Sequence, residues 1–149
     1  MDKLTVLSEG NTFKVSLGEN VFSEIKFRNI TDADIHIGNK VFEAIQTENK
    51  DIVLNENGKA LLTFKFDKLW GGAEIINMEN NSEFEIKGRW FKIGTRLTDD
   101  TGNDLVVVLD NKNDFEVNVS AGDIDPLMIL STVYYHIYAT RGKLLSLVV

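Results

Sequence analysis

The sequence predicts a mainly β protein: a closed antiparallel barrel of about twelve strands around a buried, apolar C-terminal helix. Three observations carry this. From Phe13 onward, short runs alternate apolar and polar residues and are separated by turns rich in Asn, Asp and Gly, a spacing that favours a barrel or sandwich. The stretch from Asp125 to Ala139 has helical character and is apolar on every side. A helix lying on one face of a sheet keeps a polar stripe, so a helix without one belongs inside. The single proline, Pro126, leaves no proline-rich linker, and residues 1–149 read as one domain.

The elements follow in order. Phe13, Val15 and Leu17 alternate with polar residues, and Val21, Ser23, Ile25 and Phe27 repeat the period of two, with Gly18-Glu19-Asn20 as a tight turn between them. A turn over Arg28–Asp34 leads to Ile35-His36-Ile37. The run that begins at Val41 reads as a strand, with a helix over Val41–Asn49 as the alternative. Asn55-Glu56-Asn57-Gly58 is the strongest hairpin signal, because Asn-Gly readily takes the positive φ angles of a type I′ turn. Beyond it, Ala60, Leu62, Phe64 and Phe66 share one face. Trp70-Gly71-Gly72 interrupts the pattern, Ala73–Met78 resumes it, and Glu79–Ser82 is a polar loop.

Phe84 and Ile86 fall on even positions, but Phe91, Ile93 and Leu97 fall on odd ones, so Gly88 is expected to mark a bulge or sharp bend. Leu105–Leu109 is apolar throughout, which suggests a strand covered on both faces, within the barrel wall or at a subunit interface. Phe115, Val117 and Val119 alternate again. At the helix, Asp125 suits the N-cap, Pro126 the first helical position, and Gly142 the position just past the end, with Arg141 near the negative pole.

Composition narrows the function. Without cysteine, disulfides, thiol catalysis and cysteine-based zinc sites are excluded. The net charge of −7 argues against general binding to nucleic acid or anionic membranes. The N-terminus shows no basic-then-apolar leader, which places the chain in the cytoplasm as an expectation. Leu127–Ala139 is too short for a membrane-spanning helix and contains Ser131, Thr132 and His136.

No nucleophile, base and orienting group stand in a recognisable spacing around His36 or His136. His136 is expected to be a hydrogen-bonded core histidine and His36 a strand or surface residue. Asp99-Asp100-Thr101-Gly102-Asn103-Asp104 gathers oxygens but departs from an EF-hand loop, which has glutamate at its twelfth position, where this chain has Asp110, and helices on its flanks, where this chain has strands; an ordinary acidic turn is the expectation. Lys87, Arg89, Lys92 and Arg96 form the one local concentration of positive charge, where a phosphate headgroup could dock. No cofactor is called for.

Four runs together resemble a known family: Phe84–Ile93, Asp100–Val107, Phe115–Val119 and Asp125-Pro126-Leu127-Met128-Ile129-Leu130. They are similar to the C-terminal half of LURP-one-related proteins, which resemble the Tubby C-terminal domain and the phospholipid scramblases. That resemblance implies a closed barrel around a central helix. It also implies a non-enzymatic binding module, with phospholipid headgroups or a protein as the partner class. Two rivals stand beside it: a carrier holding a small apolar ligand in the barrel, and an enzyme of unfamiliar type.

Overall fold

The computed structural model describes residues 2–66, 72–88, 94–111, 114–120 and 124–148, with residues 2 and 141–148 as backbone alone. Twelve strands form one closed antiparallel barrel in which each pairs with its neighbours in sequence. They are β1 (Asp2–Glu9), β2 (Thr12–Leu17), β3 (Asn20–Phe27), β4 (Ala33–Ile37), β5 (Lys40–Gln46) and β6 (Ile52–Glu56). The second half is β7 (Lys59–Phe66), β8 (Ala73–Asn77), β9 (Glu83–Gly88), β10 (Thr95–Thr98), β11 (Asp104–Asn111) and β12 (Asp114–Val119). The chain then enters α1 (Pro126–Val148). The predicted fold class is therefore the observed one.

Alternation builds the wall. Along β2 to β4, Phe13, Val15, Ile25, Phe27, Ala33 and Ile35 are buried while their polar neighbours face out. Full closure leaves no strand edge exposed, which removes the usual route to edge-to-edge aggregation. The closing seam is β1 against β12, with Leu4 opposite Val117 and Val6 opposite Phe115. β1 lies before the predicted strands, which begin at Phe13. Its Leu4 and Val6 are both buried, and their alternation with Lys3, Thr5 and Leu7 is the signal that was there to find.

The β6–β7 hairpin closes through two residues, with Glu56 opposite Lys59. Asn57 and Gly58 both have positive φ, 52° and 82°, as the expected type I′ turn requires. The run from Val41 is a strand, not a helix. In the segment where a phase change was expected, Ile86 of β9 and Leu97 of β10 stand directly opposite each other and are both buried. Even and odd positions meet because two separate strands carry them. The register shift described here lies at Leu97/Thr98 against β11, and residues 89–93 lie outside the described chain.

Two expectations need correction. Leu105–Leu109 is not covered on both faces: Val106 and Val108 are fully buried, whereas Leu105, Val107 and Leu109 are half-buried. No second layer covers the outside of a single-walled barrel, so burial falls on alternate residues. The helix also runs through Gly142 to Val148 rather than stopping before it. A glycine inside a helix costs roughly 1 kcal/mol relative to alanine but does not by itself end the helix.

The helix begins as expected: the Asp125 carboxylate accepts the Leu127 N–H at 2.9 Å, and the Asp125 carbonyl accepts from Met128 and Ile129. From Leu127 to Ile137 every residue is buried, so the helix is enclosed by the wall. Its buried hydroxyls are satisfied internally, Ser131 donating to the Leu127 carbonyl and Thr132 to that of Met128.

Just before β8 the chain packs closely against β9 at Gly72. Its φ is +87°, and a Cβ there would lie 2.3 Å from the Ile86 carbonyl oxygen. Gly72→Ala should destabilise the protein by roughly 2–4 kcal/mol, combining a disfavoured backbone angle with a clash against backbone. Gly10→Ala, with φ of +63° and open space around it, should cost only about 1–2 kcal/mol. Chemical denaturation of the two variants checks the ordering.

Candidate functional site

Of the four predicted cations, the structure describes Lys87 and Arg96; Arg89 and Lys92 lie outside the described residues. Lys87 near the end of β9 and Arg96 near the start of β10 stand directly opposite each other on the outer face. Antiparallel pairing brings side chains nine positions apart in sequence into contact range. Each also has an acidic neighbour. Arg96 Nη1 donates to Asp104 Oδ1 at 3.1 Å, and Lys87 Nζ lies 3.9 Å from Glu85 Oε2. The Arg96 Nε is buried and has no hydrogen-bond partner. Lys87 is the more accessible of the two, with 43% of its side chain exposed. The pair is thus a small cationic step on the wall, partly neutralised and reachable from solvent.

The second constellation joins buried Thr95 and His136 to Asp110 at the surface. His136 Nε2 lies 2.8 Å from Asp110 Oδ1, and Nδ1 lies 2.8 Å from Thr95 Oγ1. A carboxylate can only accept, so Nε2 carries the proton toward Asp110, and in the neutral ring Nδ1 accepts from the Thr95 hydroxyl. Phe115 meets the imidazole edge to face at 4.8 Å. This carboxylate–imidazole–hydroxyl series has the order of a nucleophile-activating relay. However, Thr95 is 3% exposed and His136 4%, so the hydroxyl is shielded from solvent. What the series does as it stands is bind the helix to β10 and β11. The expectation of a hydrogen-bonded core histidine holds. Its partners were not legible, because Thr95 and Asp110 are remote in sequence and ordinary in type.

Two tyrosines make equivalent ties elsewhere. The Tyr134 hydroxyl donates to the Thr31 carbonyl, and the Tyr135 hydroxyl accepts the Gly72 N–H at 2.9 Å. Burial pushes both phenols above their ordinary pKa, so both stay protonated. The loop that presents Thr31 is itself fixed. Asn29 Oδ1 accepts from the Thr31 and Asp32 amides, and Asp32 Oδ1 accepts the Gln46 N–H at 3.0 Å. Burial alone would raise the Asp32 carboxyl. The hydrogen bonds from Gln46, Asn29 and Thr31, helped by the Arg28 charge, outweigh it and hold the pKa below 3.8.

His36 lies on the outer face of β4, opposite Glu24 and Val41. The Asp99 loop is an acidic turn, as expected. Its carboxylate accepts from the Thr101 hydroxyl at 2.6 Å, the Thr101 amide at 2.9 Å and the Asn103 amide at 3.0 Å. Those bonds, the Thr101 hydroxyl foremost, hold its pKa low. Among the described residues, no group of three or more His, Asp or Glu side chains is placed to hold a metal ion. No described helix is long and apolar enough to cross a membrane.

Tyr135→Phe removes the acceptor for a buried amide and should cost about 1–3 kcal/mol, readable by urea denaturation. Asp32 gives a pH signature. Its folded pKa lies below its unfolded value, so its contribution is present above about pH 4 and is lost as pH falls through the lowered pKa. Asp32→Asn should therefore destabilise the protein at pH 7, with the gap to wild type narrowing below about pH 4 in a pH series of thermal melts.

No protein-family model matches the chain, and neither does any curated protein or solved structure.

Proposed function

We propose that this chain is a non-enzymatic, cytoplasmic Tubby C-terminal-like (LURP-one-related) barrel that binds an anionic group, a phospholipid headgroup, on its outer wall at Lys87 and Arg96. The observation that carries the reading is the occupied interior. From Leu127 to Ile137 the helix is buried on all sides, so recognition falls to the outside. This counts against a carrier with a ligand in the lumen, which would need the space the helix fills. The closed twelve-strand barrel with a helix through it is also the architecture the family resemblance implies. On the outer wall, Lys87 and Arg96 are brought into register by β9 and β10. An ammonium and a planar guanidinium side by side offer several donors to phosphate oxygens.

Sedimentation with phosphatidylglycerol or phosphatidylinositol-phosphate vesicles tests this. Each basic residue near an anionic surface contributes about 1 kcal/mol, so the Lys87→Ser/Arg96→Gln double variant should bind roughly thirtyfold more weakly than wild type. Wild-type protein that stays in the supernatant with every anionic vesicle, or a double variant that sediments equally, removes the lipid reading.

A further inference from the structure

The outer wall is not uniform around the barrel. On the β1–β5 side, one belt runs through Leu7, Lys14, Glu24, His36 and Val41, each in register with the next, and its centre is polar and charged. On the other side, Ile45 of β5, Val53 of β6, Thr63 of β7 and Ile76 of β8 stand in one unbroken register row. All four are half-buried, and Met78, 48% exposed, extends the surface, its sulfur accepting from the Thr63 hydroxyl at 3.3 Å. The row spans three interstrand gaps, roughly 14 Å.

Its far end runs into carboxylates. Ile76 is opposite Glu83, and Glu74 is opposite Glu85. Like charges directly opposite on a sheet destabilise it. The Glu83 carboxyl beside Glu74 raises the Glu74 pKa, with partial burial and the Glu85 charge adding to the effect. Lys65 faces Glu74 across β7–β8 and Lys87 approaches Glu85, but Glu83 has no cationic partner among the described residues. Three aliphatic residues and Thr63, ending at a Glu83 that lacks a cationic partner among the described residues, are complementary to a segment that brings apolar side chains followed by a cation. The closed barrel has no free strand edge, so such a segment cannot add as another strand. A helix can: about ten residues cover 14 Å, with apolar side chains at i, i+3, i+4 and i+7.

We propose that the outer face of β5–β8, with the carboxylates of β8–β9, is a docking surface for a basic amphipathic helix of a partner protein. The helix lies across the strands, its apolar side chains cover Ile45, Val53 and Ile76, and an Arg or Lys one turn further on meets Glu83 and Glu74. This surface is distinct from the anion site at Lys87 and Arg96, and it stands or falls without it.

The test uses the full chain, labelled with ¹⁵N, and three synthetic helical peptides. One carries Leu on one face and Arg at the end, a second has Glu in place of Arg, and a third has Ser in place of Leu. The Leu/Arg peptide should bind saturably, with amide shifts concentrated at Ile45, Val53, Thr63, Ile76 and Glu83, and the other two should bind at least about tenfold more weakly. Val53→Lys and Glu83→Lys should each weaken the Leu/Arg peptide about tenfold, whereas Lys14→Glu on the charged belt should leave it unchanged. If Val53→Lys loses its folded spectrum, the exposed Glu83→Lys variant alone decides. Equal binding of the Ser/Arg peptide would show only attraction to an acidic protein and would overturn the proposal. So would equal binding of the Leu/Glu peptide, shifts that map elsewhere, no binding, or light scattering that shows a dimer with this face already occupied by a second copy.

Discussion

Everything in this barrel depends on how one helix is held inside it. A helix apolar on all sides has no intrinsic preference for rotation or depth within an apolar lumen, since hydrophobic burial is non-directional. Direction comes from three consecutive residues. Tyr134 reaches the Thr31 carbonyl at the β3–β4 connection, Tyr135 takes the Gly72 amide ahead of β8, and His136 joins Thr95 and Asp110 on β10 and β11. Successive residues of an α-helix point about 100° apart, so three in a row address three sectors of the surrounding wall. A rotation or a one-residue slide of the helix would leave several buried polar groups unpaired at once. The apolar contacts make the helix stay; these polar ones say where.

The same arrangement explains the shape of the wall. Gly72 gives its amide to Tyr135 and cannot carry a side chain, because the Ile86 carbonyl occupies the space where one would stand. The β3–β4 loop is ordered by Asn29 and Asp32 so that Thr31 can meet Tyr134. Aromatic rings complete the contact, with Phe27 stacked on Tyr134 at 5.5 Å and Phe66 near Tyr135 and Tyr138. With the lumen filled and the strand edges paired, the outer face of the wall is left to solvent. That face is uneven: polar and charged at the centre of the belt from β1 to β5, aliphatic at Ile45, Val53 and Ile76 among Glu43, Lys65 and Glu74 over β5 to β8, and mixed in charge over β8 to β11.

Much of the fold was legible because it is written in local alternation. Phe13, Val15, Ile25 and Phe27 declare their strands, Asn57-Gly58 its turn, and Asp125-Pro126 the start of the helix. Less was legible where a tertiary neighbour supplies the meaning. β1 is a modest run of Lys-Leu-Thr-Val until β12 pairs with it. Gly142 looks like a helix stop, yet the backbone stays helical through it. Leu105–Leu109 looks buried on both faces, but only the inward residues are buried in a wall one layer thick. Of the cationic cluster, the sequence could identify the residue types; only antiparallel pairing set Lys87 opposite Arg96, and only folding brought Asp104 to Arg96.

By itself, then, the sequence determined the class: period-two strands, turn chemistry and one helix without a polar face, which together admit few arrangements other than a filled barrel. Tertiary structure alone decided the register of that helix, the Asp110–His136–Thr95 series, and the row from Ile45 to Ile76. Alternation and turn propensity act between residues close in the chain and can be read from it. Hydrogen bonds between positions 41 and 63 residues apart, as for Thr95 with His136 and Gly72 with Tyr135, depend on closure of the barrel, which no local pattern specifies.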